Sequence, residues 1–274
     1  MKQEIFKKIT SKIRDRNKKF YNRHQSESCY IFGNGVSLKY FNLGDFSDRI
    51  SISCNNLFFH NQFDSLDVRY YFTGHPFFYY RYWINPYTNK LVNNPFVKLF
   101  KKEILNNTDV EFFLNISNYF SFKAPKLNYL YHFNSSFNGY ENVSLDNTFS
   151  AMSGALPAML RIALNLGFSD ITLVGCDYTH NPGLGLHFFE YGGGREIVMD
   201  TPFIQEYLES ATQFADINTV TIDDNSTGHY LSGISYKKFT GNDPMYKENT
   251  SIVDMARLSQ LNKCGMQYGI FPVR

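Results

Sequence analysis

The sequence has few of the residues that most often declare a chemistry. Its four cysteines, Cys29, Cys54, Cys176 and Cys264, show no CxxC spacing. Three of them open or close apolar runs, where they read as small buried hydrophobes in a reducing compartment. The seven histidines form no HExxH and no paired Cys/His spacing, so neither a protein-built zinc site nor a metal cofactor is expected. The G-x-S-x-G elbow of serine hydrolases and the P-loop lysine motif are both missing. No apolar run reaches the ~18 residues that a membrane-spanning helix needs, and no secretory leader pattern opens the chain. A cytoplasmic location is the expectation.

What is present suits one large α/β domain: 274 residues, 43% of them hydrophobic. Aromatics make up 18%, mostly 27 Phe and 20 Tyr. The net charge of +2 hides an asymmetry. Residues 1–24 carry nine Lys/Arg against two acids, and the remainder carries 18 against 23. Ile5, Ile9, Ile13 and Phe20 fall near one face of a helix in this segment, with Phe6 beside it. A basic amphipathic helix of that kind can rest on an anionic membrane, making the protein peripheral there. The plainer reading is a solvated helix whose apolar stripe packs on the domain or on a partner subunit in a homo-oligomer. Nucleic acid is not the expected partner, because the basic residues stop at this segment and the body is acidic.

Past residue 26 the pattern alternates. Strands are expected at Cys29–Phe32, Ile50–Cys54, Val68–Phe72, Val110–Leu114, Leu127–His132, Ile171–Val174 and Thr219–Ile222. Helices are expected at Pro95–Leu105, Ser153–Leu166, Thr201–Phe214 and around Ile252–Asn262. Ser153 serves as the N-cap of the second helix and Gly167 as its stop. Strands separated by helices predict a Rossmann-like, mostly parallel, doubly wound sheet. The organisation expected is a basic helix over 1–26 and one α/β domain over 27–274, with a lid around 178–200. Residues 76–95 and 115–150 read as loops or insertions over the rim.

In such a sheet, ligands bind beyond the carboxyl ends of the strands. That rule gathers Asn34, Asn55, Thr73/His75 and Asp177, each just after a strand. Gly33-Asn34-Gly35 is either a tight turn or an anion cradle, since glycines let backbone N–H groups approach a phosphate. Asp177 either accepts from ribose hydroxyls or caps a turn. His180, His187 and His229 lie in flexible stretches and are general-base candidates, since histidine titrates near working pH. Asp223-Asp224 reads first as a solvated turn.

Four elements in order carry a resemblance: GNGVSL after the first strand, SCNN after the second, SG opening a helix that ends in ALNLGF, and ITLVGCDY. Over roughly residues 29–75 and 150–225 the chain resembles bacterial lipooligosaccharide sialyltransferases that use CMP-activated sialic acid. It is also similar to the wider sialyltransferase-like set with the 6-hydroxymethylpterin diphosphokinase (MptE-like) proteins. The resemblance implies a GT-A-type variant of the sheet with a small lid, and inverting transfer without a metal. It places CMP-sugar binding on Gly33, Asn34, Gly35, Asn55, Ser153, Gly154 and Asp177. It favours His187 as general base ahead of His180 and His229, with Tyr178 and Tyr191 as the nearest matches for the family's tyrosines that help the departing phosphate. Val36 stands where the family usually has proline, and Ala151-Met152 precede the serine-glycine where the family has an arginine-led motif. The donor sugar is therefore open among sialic acid, Kdo and other CMP-linked nonulosonic acids, and the acceptor expected is a surface glycan. A diphosphokinase-like enzyme using ATP and Mg²⁺ would lean on Asp177, Asp223 and Asp224. A non-enzymatic domain attached through its basic helix is the third reading.

Overall fold

Strands covered on both faces are mostly apolar, as Cys29–Phe32 and Ile171–Val174 are, while Ile50–Cys54 buries Ser51 and Ser53 among its apolar residues. These three lie side by side at the centre of the sheet. The computed structural model describes residues 2–84, 90–94, 96–134, 137–151, 154–198 and 202–268. Its main sheet contains β1 (Ser28–Phe32), β2 (Ile50–Cys54), β3 (Asp67–Thr73), β4 (Glu111–Asn115), β5 (Leu127–Asn134), β6 (Thr148–Ala151), β7 (Asp170–Val174), β8 (Asp216–Thr221) and β9 (Ser232–Ser235). The spatial order is β9-β8-β7-β1-β2-β3-β4-β5-β6, and every neighbouring pair is parallel. From β1 the chain winds outward to β6, returns to lay β7 against the other side of β1, and winds outward again. The order reverses between β1 and β7, which is where an open α/β sheet leaves a crevice.

Side chains alternate across the sheet. Tyr30 and Phe32 enter an aromatic core with Leu38, Phe46, Tyr71 and Phe112. Cys29 and Ile31 enter the opposite core with Ile52, Phe72 and Phe113. That second core is roofed by α3 (Leu156–Leu166), in which every residue from Pro157 to Leu166 is buried. Gly167 ends α3 at φ 91, where L side chains are strained. α2 (Phe96–Asn106) and α4 (Pro202–Thr212) fall within two residues of expectation. The late helical region divides into α6 (Asn249–Ile252) and α7 (Met255–Tyr268), after a short α5 (Tyr236–Thr240).

Several expectations change. Residues 76–95 and 115–150 are not loop alone: the first holds an antiparallel pair, Tyr82–Ile84 with Leu91–Asn93, and the second adds β6 to the expected β5. The links from β1 to β2 and from β2 to β3 use short 3-10 turns instead of α-helices. The N-cap of α3 is Ala155, with no side-chain cap, and Ser153 lies outside the described residues. The amino-terminal helix α1 (Lys2–Arg14) gives way to a 3-10 stretch, Asp15–Phe20. Ile9 on α1 is exposed, while Phe20 is buried edge-on against Tyr70 and Phe113. The Asn17 Nδ2 donates to the Tyr129 and Leu145 carbonyls. Asn22, His24 and Ser26 donate their backbone N–H groups to the last carbonyls of α3 and Gly167. Residues 15–26 are thus built into the α/β domain. Among the described residues, no helix is long and apolar enough to cross a membrane.

Candidate functional site

At the carboxyl ends of β1 and β7 the two chains nearly touch. The N–H of Gly33 donates to the Val174 carbonyl and that of Gly35 to the Gly175 carbonyl, both at 2.8 Å. A Cβ on Gly33 would collide with the Gly175 carbonyl, and one on Gly35 with the Asp177 carboxylate. These glycines are there because two strand ends cross without room for a side chain. Their N–H groups serve β7 and so do not serve an anion. Asn34, between them, also works inward. Its Nδ2 donates to the Cys54 carbonyl at 3.1 Å, and its Oδ1 accepts from the Asn56 N–H at 3.2 Å. Asp177 is buried and caps the turn after β1, accepting from the Ser37 N–H at 2.9 Å and from the Ser37 hydroxyl. The expected cap on the turn following Asp177 is not seen; its carboxylate caps the distant turn after β1 instead.

This crossing floors a cavity of about 210 Å³. Its walls come from Asn55, from Gly154 to Pro157 at the head of α3, from Tyr178, from Leu184 and Leu186, and from Tyr207 of α4. The head of α3 is its electropositive element. Pro157 lacks an N–H, Ala155 offers no side-chain cap, and the first-turn donors carry the positive end of the helix dipole. Beyond Gly154 there is open space. The nearby thiols are not nucleophiles: burial pushes Cys54 up to about 12, against the opposing Asn34 contact, and pushes Cys176 well above its ordinary value.

His187 stands at the rim, pairing as an isolated antiparallel bridge with Gly35. Its Nδ1 lies 2.9 Å from the Glu190 Oε2, and the same oxygen accepts the His187 N–H at 2.6 Å. Burial alone would raise the Glu190 carboxyl. The hydrogen bonds and charge of His187, with Lys39 behind, outweigh it and hold the carboxyl below its usual value. An ionised carboxylate accepts only, so the Nδ1 donates and the Nε2 is the ring nitrogen turned away from Glu190. The ring stacks on Phe189 at 5.1 Å and is 47% exposed. Lys39, itself buried, donates through Nζ to the Glu190 carbonyl at 2.5 Å and the Gly192 carbonyl at 2.8 Å. The Tyr40 hydroxyl donates to the Gly193 carbonyl, and the Asn249 Nδ2 to the Phe189 carbonyl. The loop bearing His187 is strapped down by its carbonyls.

Gly33, Asn34, Gly35, Asn55, Gly154, Asp177, Tyr178 and His187 therefore meet around one cavity. Four other candidates do not line it. His75 is exposed beyond β3, where its carbonyl accepts from the Asn118 Nδ2. Tyr191 points outward and is 67% exposed. His180 is buried in a short pairing with residues 227–228, and burial lowers its pKa. His229 lies tilted against Tyr230, and neither ring lines the cavity. Asp224 pairs with Lys238 in the open, as a solvated turn would. Sequence reasoning missed Glu190, Lys39 and Ser37. The H-x-x-E spacing of His187 and Glu190 was the one available signal. No protein family, curated protein or solved structure matches this chain.

Proposed function

We propose that this chain is an inverting glycosyltransferase that moves a nonulosonic acid from its CMP donor to a hydroxyl of a bacterial surface glycan. The observation that carries the reading is the His187–Glu190 pair, held at the mouth of a switch-point crevice that contains an uncapped helix N-terminus. The donor's phosphate would sit against the head of α3, where the dipole favours an anion. The cavity is smaller than the roughly 300–1,000 Å³ of ordinary small-molecule sites. A nucleotide sugar would therefore extend past the mouth, towards Tyr178 and His187. There the His187 Nε2 removes the acceptor hydroxyl proton as that oxygen bonds to the anomeric carbon. The bond from that carbon to the phosphate oxygen breaks, and CMP leaves with the electron pair. Glu190 keeps the ring in the required tautomer and stabilises the imidazolium. A base placed this way contributes ~10²–10⁴ in rate.

CMP present at 100 times its Kd should stabilise the fold by about 2.7 kcal/mol, seen as a rise in melting temperature. His187→Ala should retain that rise and lose nearly all transfer, and Glu190→Gln should lose a smaller share. Retained transfer in His187→Ala would reject the assignment. Stabilisation by ATP with Mg²⁺ in place of CMP would move the reading to the diphosphokinase class, and indifference to every nucleotide would leave a non-enzymatic domain.

A further inference from the structure

All nine parallel strands end on one edge of the sheet, so the segments after β3, β4 and β5 share that edge with the cavity mouth. They are unusual in two ways. First, residues 74–102 and 112–140 contain no Asp or Glu, while Arg81, Lys90, Lys98 and Lys123 from these segments are exposed. Second, large apolar side chains gather there in the open: Phe77, Tyr82, Ile84 and Leu91 after β3, Phe120 after β4, and Phe133 near the end of β5. Their exposure runs from 41% for Phe133 to 86% for Phe120.

The arrangement is built. Tyr82–Ile84 and Leu91–Asn93 pair as an antiparallel hairpin in which Ile84 stands directly opposite Leu91. Tyr82 is two residues from Ile84 and shares its face, so one face of the hairpin presents three exposed apolar side chains, with the Arg81 guanidinium 5.3 Å from the Tyr82 ring centre. The base of the hairpin is fixed by the Asn94 N–H to the Arg81 carbonyl at 2.7 Å. The loops after β3 and β4 are tied together. Phe77 donates its N–H to the Ser117 hydroxyl at 2.8 Å, and Tyr79 donates its N–H to the Asn118 Oδ1 at 3.0 Å.

We infer that this rim docks on the surface of an anionic phospholipid bilayer. Aromatic and aliphatic side chains at the headgroup level, among lysines and arginines with no acid between them, match such a surface in both polarity and charge. A second copy of the chain fits less well, because a two-fold contact would set this cationic patch against itself. Docking here turns the sheet edge that carries His187 towards the membrane. The inference is independent of the nucleotide-sugar reading, since it requires neither CMP nor transfer. It also differs from attachment through α1.

The full chain is mixed with phosphatidylcholine vesicles with and without phosphatidylglycerol, and bound protein is measured by sedimentation. Binding should require the anionic lipid and weaken with salt. Ile84→Glu and Leu91→Glu should each weaken binding about tenfold or more. Ile9→Glu, on the exposed side of α1, should leave it unchanged. Three results overturn the proposal: no vesicle binding, binding lost in Ile9→Glu but kept in Ile84→Glu and Leu91→Glu, or a dimer that Leu91→Glu dissociates while vesicles are ignored.

Discussion

Lys39 shows how much one side chain can hold. Its carbon stem is buried beneath the rim and its ammonium meets two carbonyls of the His187 loop. Burial lowers its pKa, with the Glu248 and Glu190 carboxylates opposing that shift. Lys39→Met keeps the stem but leaves the Glu190 and Gly192 carbonyls without their donor, at a cost of about 1–3 kcal/mol. Urea unfolding should show that loss. A stability equal to the parent protein would mean the loop is held by Tyr40 and Asn249 alone. His187 and Glu190 are three positions apart in sequence, so their pairing was within reach of the sequence. Nothing near Lys39 or Ser37 in sequence announces carbonyls or a carboxylate some 140–150 positions away.

Among the elements, the crossing of β1 and β7 is the least tolerant. Gly35 has an ordinary φ of −66, so alanine is allowed by the backbone and forbidden by the Asp177 carboxylate. Gly35→Ala should cost about 1–3 kcal/mol as overpacking and should also displace Asp177 from Ser37. Gly44 is the matched control, because its nearest neighbours are the Asn42 side-chain atoms at 3.7 Å. Gly44→Ala should stay within about 0.5 kcal/mol of the parent. Thermal melts of the two variants decide it, and equal effects would deny the close crossing. The strands β1 and β7 and the helix α3 were legible because their apolar runs and flanking glycines are local signals. β6 (TFSA) and β9 (SGIS) were not, being four residues long and without an apolar run. They become strands only because a neighbouring edge is there to pair with.

For the whole molecule, acid is the expected weakness. Burial pushes His60 down to about 3, with Lys247 adding to it, and pushes His132 down to about 4. His180 moves the same way. In the unfolded chain these rings protonate near 6.5, while in the fold they stay neutral until well below that. Their contribution is complete above about pH 6.5 and is lost as the pH falls towards 3–4. Between those limits the unfolded state binds more protons, and His60 and His132 together approach about 3 kcal/mol per pH unit. Urea midpoints measured from pH 7.5 to 4.5 should fall steeply over that interval. A flat profile would mean that these rings reach solvent in the native state.

The sequence by itself determined the class of the sheet and which residues lie at strand ends. Apolar runs on both faces require a parallel sheet covered by helices, and parallel strands deliver all their carboxyl ends to one edge. Only the tertiary structure decided which strand ends became neighbours. Setting β7 against β1 turned Asp177 into the cap of the Ser37 turn. It used the glycine N–H groups within the sheet, and it set His187 over a cavity roofed by the head of α3. The physical reason is one of range: hydrophobic period and turn chemistry act over a few residues, whereas strand order and buried polar pairing are settled by which distant surfaces fit together.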